Sequence, residues 1–311
     1  MGPINAGIKV LVLGGSGFIG RHAVSALLAR GAIVIIGTRN PDRRRDGQPG
    51  SATCERRQVC MERLIEVEDW PDLIDDVDTV LNCVGILRQR GRSTYDRVHH
   101  LAPEAAAAAC AALGKRFVHV SALGLDERDR SRFLTSKLAG ERRIRMSGAD
   151  WILVRPSLID GEGGFGARWL RGVSRLPVYA APMDAAGRIA ALDADDLGVA
   201  LARLCTDDAS ALDLGRSRVF ELGGPEALVF RDYIAGLRKN YTDRPNLRIP
   251  IPGFAARLFA HLCDLLHITP FSFGHWELLR KDNVPSPNRL PELLGRPPTH
   301  VAPRVAAVRD T

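Results

Sequence analysis

The chain has 311 residues, 45% hydrophobic and 25% charged, enough to bury one large core with a smaller appended unit, and no apolar run reaches the length of a membrane span. The net charge of +7 comes from arginine spread along the whole length, and no nucleic-acid module accompanies it, so a phosphate-bearing ligand is expected and a nucleic-acid partner is not. Six cysteines (Cys54, Cys60, Cys83, Cys110, Cys205, Cys263) fall at no metal-ligand spacing and mostly in apolar runs, which argues against a metal centre or a disulfide framework.

The first β-run, Val10-Leu11-Val12-Leu13, leads directly into Gly14-Gly15-Ser16-Gly17-Phe18-Ile19-Gly20 and then into a helix that stops at Gly31. In this strand–turn–helix setting each of three glycines has a task. Gly14 makes the turn, Gly17 lets a diphosphate approach the main chain, and Gly20 lets the helix lie on the sheet. The positive end of the helix then faces the phosphates. With the run starting this close to Met1, no signal peptide is expected and the chain reads as cytoplasmic.

A second β-run, Ile33 to Ile36, ends in Gly37-Thr38-Arg39-Asn40, where a dinucleotide without a 2′-phosphate ordinarily meets a carboxylate. A guanidinium cannot accept from ribose hydroxyls but grips a phosphate through two donors. Arg39, with Arg43 to Arg45 behind it, therefore favours NADP(H) over NAD(H).

A short helix is expected over Trp70 to Asp78, then a buried strand, Thr79 to Gly85, whose end (Asn82, Cys83, Val84, Gly85) faces the cofactor crevice, and then a loop from Ile86 to Thr94. The helix from Tyr95 to Leu113 should break at Pro103. The strand Arg116 to Ser121 presents a hydroxyl at its carboxyl end and carries His119 as a core histidine. On the helix that begins at Phe133, Lys137 lies one turn on along the same face. The strand Trp151 to Ser157 ends in Arg155, Pro156 and Ser157, expected to bind the cofactor, and leads into a glycine-rich loop, and residues 158–187 read as an excursion before the sheet resumes. Beyond Pro225 come a helix over Phe230 to Asn240, a strand-like Leu247 to Pro252 and a broadly apolar helix, Phe254 to Leu266, which packs on its own domain or meets a membrane surface or a protein complex. From Asp282 the proline-rich sequence should be irregular.

The glycine loop, Asn82-Cys83-Val84-Gly85, Val118-His119-Val120-Ser121, Lys137 with Gly140-Glu141, Val154-Arg155-Pro156-Ser157 and Glu221-Leu222-Gly223-Gly224-Pro225 together resemble the extended and atypical short-chain dehydrogenase/reductases. Within them the chain is most similar to the branch of the nucleotide-binding accessory subunit of respiratory complex I and its bacterial relatives, over about residues 8–285. The resemblance implies an α/β protein: a doubly wound parallel Rossmann sheet (1–157 plus 188–225), a smaller C-terminal substrate domain (158–187 plus 226–285) and a tail (286–311). It also implies a Ser, a Tyr and a Lys four residues later as the reacting groups. Ser121 and Lys137 match, and Phe133 stands where the Tyr belongs. A phenyl ring transfers no proton, so Tyr95, Asp160 and Glu162 are candidate substitutes. An oxidoreductase acting on a small organic carbonyl or quinone-like molecule, and a catalytically silent nucleotide-binding accessory or sensor protein, both remain open.

Overall fold

The computed structural model describes residues 7–43, 53–266 and 271–301. Its first half alternates strand and helix: β1 (Lys9–Leu13), α1 (Phe18–Ala29), β2 (Ile33–Thr38), β3 (Glu55–Gln58), α2 (Pro71–Ile74), β4 (Thr79–Asn82), α3 (Ala102–Ala112), β5 (Arg116–Val120), α4 (Arg132–Met146) and β6 (Asp150–Pro156). The chain then runs through β7 (Ile159–Asp160), α5 (Phe165–Arg175), β8 (Val178–Pro182), β9 (Arg188–Ile189), β10 (Leu192–Asp193), α6 (Ala194–Thr206) and β11 (Val219–Leu222). It closes with β12 (Leu228–Val229), α7 (Phe230–Lys239), β13 (Leu247–Ile251), α8 (Gly253–Leu266), α9 (Phe273–Leu279) and α10 (Leu290–Leu294).

Seven strands form one parallel sheet in the order β11-β6-β5-β4-β1-β2-β3. Because successive strands are laid outward in opposite directions from β1, the crevice for a ligand opens at the carboxyl ends of β1 and β4. The inner strands read as continuous apolar runs because both faces are covered. Val34 and Ile36 of β2 join the cluster under α1 and α6, while Ile35 joins the opposite cluster under α3. The fold is the doubly wound Rossmann-like arrangement expected.

The excursion after β6 and the C-terminal segment build a second, smaller layer together. β8 pairs in parallel with β13, and Leu170 of α5 packs with Tyr233, Ile234 and Leu237 of α7.

Several local expectations are corrected. β4 ends at Asn82, and residues 83–85 form the turn beyond it. Trp70 to Asp78 holds only the four-residue α2, with Pro71 in its first turn, and a 3₁₀ turn over Val67–Asp69 ends just before it. The helix near Pro103 breaks as a π-turn over Arg97–Leu101, which leaves the proline at the start of α3 where its missing N–H costs nothing. The strand β3 shows no apolar pattern in the sequence (Glu55-Arg56-Arg57-Gln58) because it is a polar edge strand. The tail over residues 282–301 is irregular as expected apart from α10, but it is packed down: Leu290 and Leu293 are buried in the cluster of α6 and β11, Arg289 lies 4.3 Å above the Phe220 ring, and Arg296 pairs with Asp196 at 2.5 Å.

Candidate functional site

The turn after β1 is shaped by its glycines. Gly14 has a φ of +73°, and a Cβ there would meet Val84 Cγ2 at 3.0 Å. Its N–H donates to the Gly37 carbonyl at 2.9 Å, and the Gly17 N–H closes the turn on the Gly14 carbonyl at 2.8 Å. Gly20 is held by packing alone, since a Cβ would lie 2.2 Å from the Gly14 oxygen. Gly17 is the N-cap of α1 with no side-chain cap, so the first-turn N–H groups of the helix are left for an anion.

These residues open onto a cleft of about 620 Å³, lined at this end by Gly14, Ser16, Gly17, Phe18 and Ile19. Gly15 and Gly20 lie behind that wall, outside the lining. At the end of β2, Ser16 Oγ and Thr38 Oγ1 stand 3.2 Å apart, and Thr38 and Arg39 both line the cleft with Arg39 exposed. Arg43 is exposed on the following turn, while Arg44 and Arg45 lie outside the described residues.

Beyond β4, Cys83, Val84 and Gly85 line the cleft. Asn82 does not, which corrects the expectation that it faces the cofactor. It is fully buried; its Oδ1 accepts from the Val84 N–H at 2.9 Å and its amide nitrogen donates to His119 Nδ1 at 3.0 Å, so it shapes the turn from behind. His119 is the core histidine expected, pushed down to about 3 by burial. Ile86 is held by His99, whose Nε2 accepts the Ile86 N–H at 3.1 Å.

Ser121, Phe133 and Lys137 line the same cleft. Ser121 Oγ is buried and has no hydrogen-bond partner among the described residues. Lys137 is buried too; its Nζ sits 5.8 Å from the Phe133 ring centre, and burial lowers its pKa to about 8. It makes no ion pair among the described residues, because the nearby Glu141 carboxylate is taken by Arg155 at 2.5 Å. Pro156 and Ser157 also line the cleft. Ser157 Oγ donates to the Asn283 carbonyl at 2.7 Å, which ties the C-terminal segment to β6. Arg155 points to the other side of β6, toward Glu141 and Glu221, and is corrected from a cofactor contact to a structural ion pair.

The three substitute acids are corrected as well, since none lines the cleft. Tyr95 donates its hydroxyl to the Leu87 carbonyl at 2.9 Å, Asp160 is buried between Arg171 and the Tyr233 hydroxyl, and Glu162 is exposed. What the sequence did not reveal is the wall contributed by residues 271–283: Phe271, His275, Leu278, Leu279 and Asn283. His275 stacks on Phe133 at 5.9 Å, with its Nδ1 2.5 Å from Ser272 Oγ. No local motif marks these positions, because they are brought to the site by tertiary return of the chain.

The glycine turn, the uncapped helix end and the adjoining cleft are what a dinucleotide requires. A family model described as NAD(P)H-binding matches residues 14–171. The chain belongs to that NAD(P)H-binding family. It is 27% identical over 286 residues to ceramide reductase of Caulobacter vibrioides, covering 89% of this chain and 86% of the relative. It is 28% identical over 299 residues to the mouse mitochondrial NADH dehydrogenase [ubiquinone] 1 alpha subcomplex subunit 9, covering 86% of this chain and 69% of the subunit. Its fold is similar to that of the Escherichia coli NADPH-dependent quinone oxidoreductase QOR2, with a TM-score of 0.67 at 16% identity over 94% of this chain and 96% of the other. The chain is thus an NAD(P)H-binding protein with a reductase among its relatives. Among the described residues, no helix is long and apolar enough to cross a membrane.

Proposed function

We propose that the protein is an NADP(H)-dependent reductase of a carbonyl group carried by a long apolar molecule. One observation carries this reading: among the described residues Ser121 Oγ is buried with no hydrogen-bond partner and Lys137 Nζ is buried with no ion pair, and both side chains border the cleft that begins at the glycine loop. A buried hydroxyl without a partner costs about 1–3 kcal/mol, which a substrate oxygen accepting its hydrogen bond would offset. When bound, the nicotinamide supplies a hydride to the carbonyl carbon. Ser121 orients the oxygen as the carbonyl π bond breaks onto it, and Lys137 provides the proton that completes the alcohol before being reprotonated from solvent. Its pKa of about 8 keeps it an ammonium at neutral pH and makes it a fair acid.

The apolar character of the substrate is read from Leu123, Leu158, Trp169, Leu170 and Phe271, which also line the cleft. The similarity to a protein named for reducing ceramide, a long-chain lipid, supports it. Steady-state NADPH consumption with long-chain and short-chain ketones tests the reading, and a preference for the long chain is expected. A silent accessory protein is the second reading, favoured by Phe133 and the complex I relative. Firmly held NADPH with no turnover of any ketone, aldehyde or quinone would decide for it.

The cofactor preference rests on Arg39 and on the lack of a carboxylate at the end of β2. Arg39→Ala is expected to weaken NADPH by about 1.5–3 kcal/mol and leave NADH nearly unchanged in a fluorescence titration. Equal or tighter binding of NADH by the wild type would contradict the assignment.

Phe133→Tyr adds one oxygen beside Lys137 on the same face of α4, where a phenol finds the cation that lowers its pKa. It is expected to leave NADPH affinity unchanged and raise ketone turnover about 10-fold or more. A tyrosine variant no faster than a brisk wild type would show that the proton path through Lys137 is already sufficient.

A further inference from the structure

The helix α8 buries a narrow stripe, Ala256, Ala260 and Cys263, and exposes a wide one. Phe254, Leu258 and Leu265 are 79%, 71% and 74% exposed, and Phe259, Leu262 and Leu266 are also exposed. Spacings of three and four residues place most of this second stripe opposite the first, so six large apolar side chains share one solvent-facing surface. Leu247 and Ile249 of β13, the strand that precedes the helix, are exposed as well.

The electrostatics of this region are one-sided. Asp264, the only acid of α8, is engaged by Arg88 at 3.0 Å and by the Phe273 N–H at 3.0 Å. Asp184, beside the start of the helix, is paired with Arg280 at 3.1 Å. Arg257 is exposed on α8 and makes no ion pair among the described residues, and the whole chain carries a net charge of +7. An apolar stripe flanked by unneutralised arginine on a basic protein complements an anionic bilayer.

The surface is also continuous with the cleft. The Phe259 ring on α8 stacks on Phe271 at 6.4 Å, and Phe271 lines the cleft. Arg88 clamps the two together, pairing with Asp264 and donating to the Phe271 carbonyl at 2.6 Å, and it follows Ile86 and Leu87 of the cleft wall. We infer that the exposed face of α8 docks on an anionic membrane surface, so that a membrane-dissolved substrate passes along Phe259 and Phe271 into the cleft without crossing water. What passes through rests on the reductase reading; the docking itself does not.

Flotation of the full-length protein with vesicles of phosphatidylcholine alone, and of phosphatidylcholine mixed with phosphatidylglycerol, tests the inference. Wild type should float with the mixed vesicles, less with the neutral ones, and lose binding as salt is raised. Leu258→Glu, Leu262→Glu and Leu265→Glu combined should weaken flotation about 10-fold or more, because each removes buried apolar area and adds repulsion. NADPH affinity and turnover of a short water-soluble ketone should stay unchanged. Should the triple variant lose NADPH affinity, Leu258→Glu and Leu265→Glu alone are the test, each with weaker flotation at unchanged affinity. Wild type that stays unbound with both vesicles, or variants that float equally well, would overturn the inference. So would a dimer in sedimentation analysis that dissociates on these substitutions, which would assign the face to a second copy. Vesicle binding without any turnover would overturn the reductase reading and leave the docking surface standing.

Discussion

Lys137→Met is expected to lower ketone turnover by about 10²–10⁴-fold, the usual contribution of a positioned proton donor, while preserving the fold. Methionine matches the length and apolar stem of the lysine and suits a side chain that is already buried against Phe133. In the wild type the same proton gives a signature in pH. Burial lowers the Lys137 pKa to about 8, so the ammonium is present below that value and is lost as pH rises through it. Turnover should therefore fall above about pH 8, and Lys137→Met should show a flat, low profile over the same range. A methionine variant as fast as wild type would remove Lys137 from the proton path.

Gly17→Val should weaken NADPH by at least about 100-fold, or about 2.7 kcal/mol, with little change in stability. The backbone at Gly17 has φ −81° and ψ −178°, which valine adopts readily. A Cβ would meet only the Gly14 oxygen, at 3.0 Å, and the branches beyond it would fill the space that the diphosphate needs. Gly20→Ala is the instructive contrast. Its Cβ would lie 2.2 Å from the Gly14 oxygen and 2.7 Å from Gly15 Cα, so stability itself should drop. Calorimetric melts beside binding titrations separate the two, and a Gly17→Val protein that still binds NADPH as wild type would contradict the placement of the phosphates.

The contrast between these two glycines also marks what the sequence makes legible. A β-run, glycines at fixed spacing and a helix are local patterns, so β1, α1 and β2 could be read directly; Ser121 and Lys137 both line the same cleft. Position along a strand end was less informative. Asn82 and Arg155 occupy ends that face the crevice, yet alternation and a buried partner turn each away, toward His119 and Glu141 respectively. Polar β3 carries no apolar period because it is held at the sheet edge by its pairing with β2 and by Arg57, which donates to the Leu73 carbonyl and pairs with Asp76. The wall built from Phe271 to Asn283 and the buried α10 depend on the chain returning later in the sequence, 126 residues on from Ser157 to Asn283 and 90 residues on from Arg203 to Leu293, to cover β6 and α6. Pro291 in that stretch reads as a breaker when it is a helix start.

The most direct test of the account is transfer of label. NADPH carrying deuterium at its transferable position would be incubated with the protein and a long-chain ketone in mixed phosphatidylcholine and phosphatidylglycerol vesicles, and the lipid fraction analysed by mass spectrometry. The account predicts an alcohol bearing deuterium at the carbinol carbon, formed far more slowly by Lys137→Met. Unchanged ketone beside NADPH that remains bound and unoxidised would contradict it.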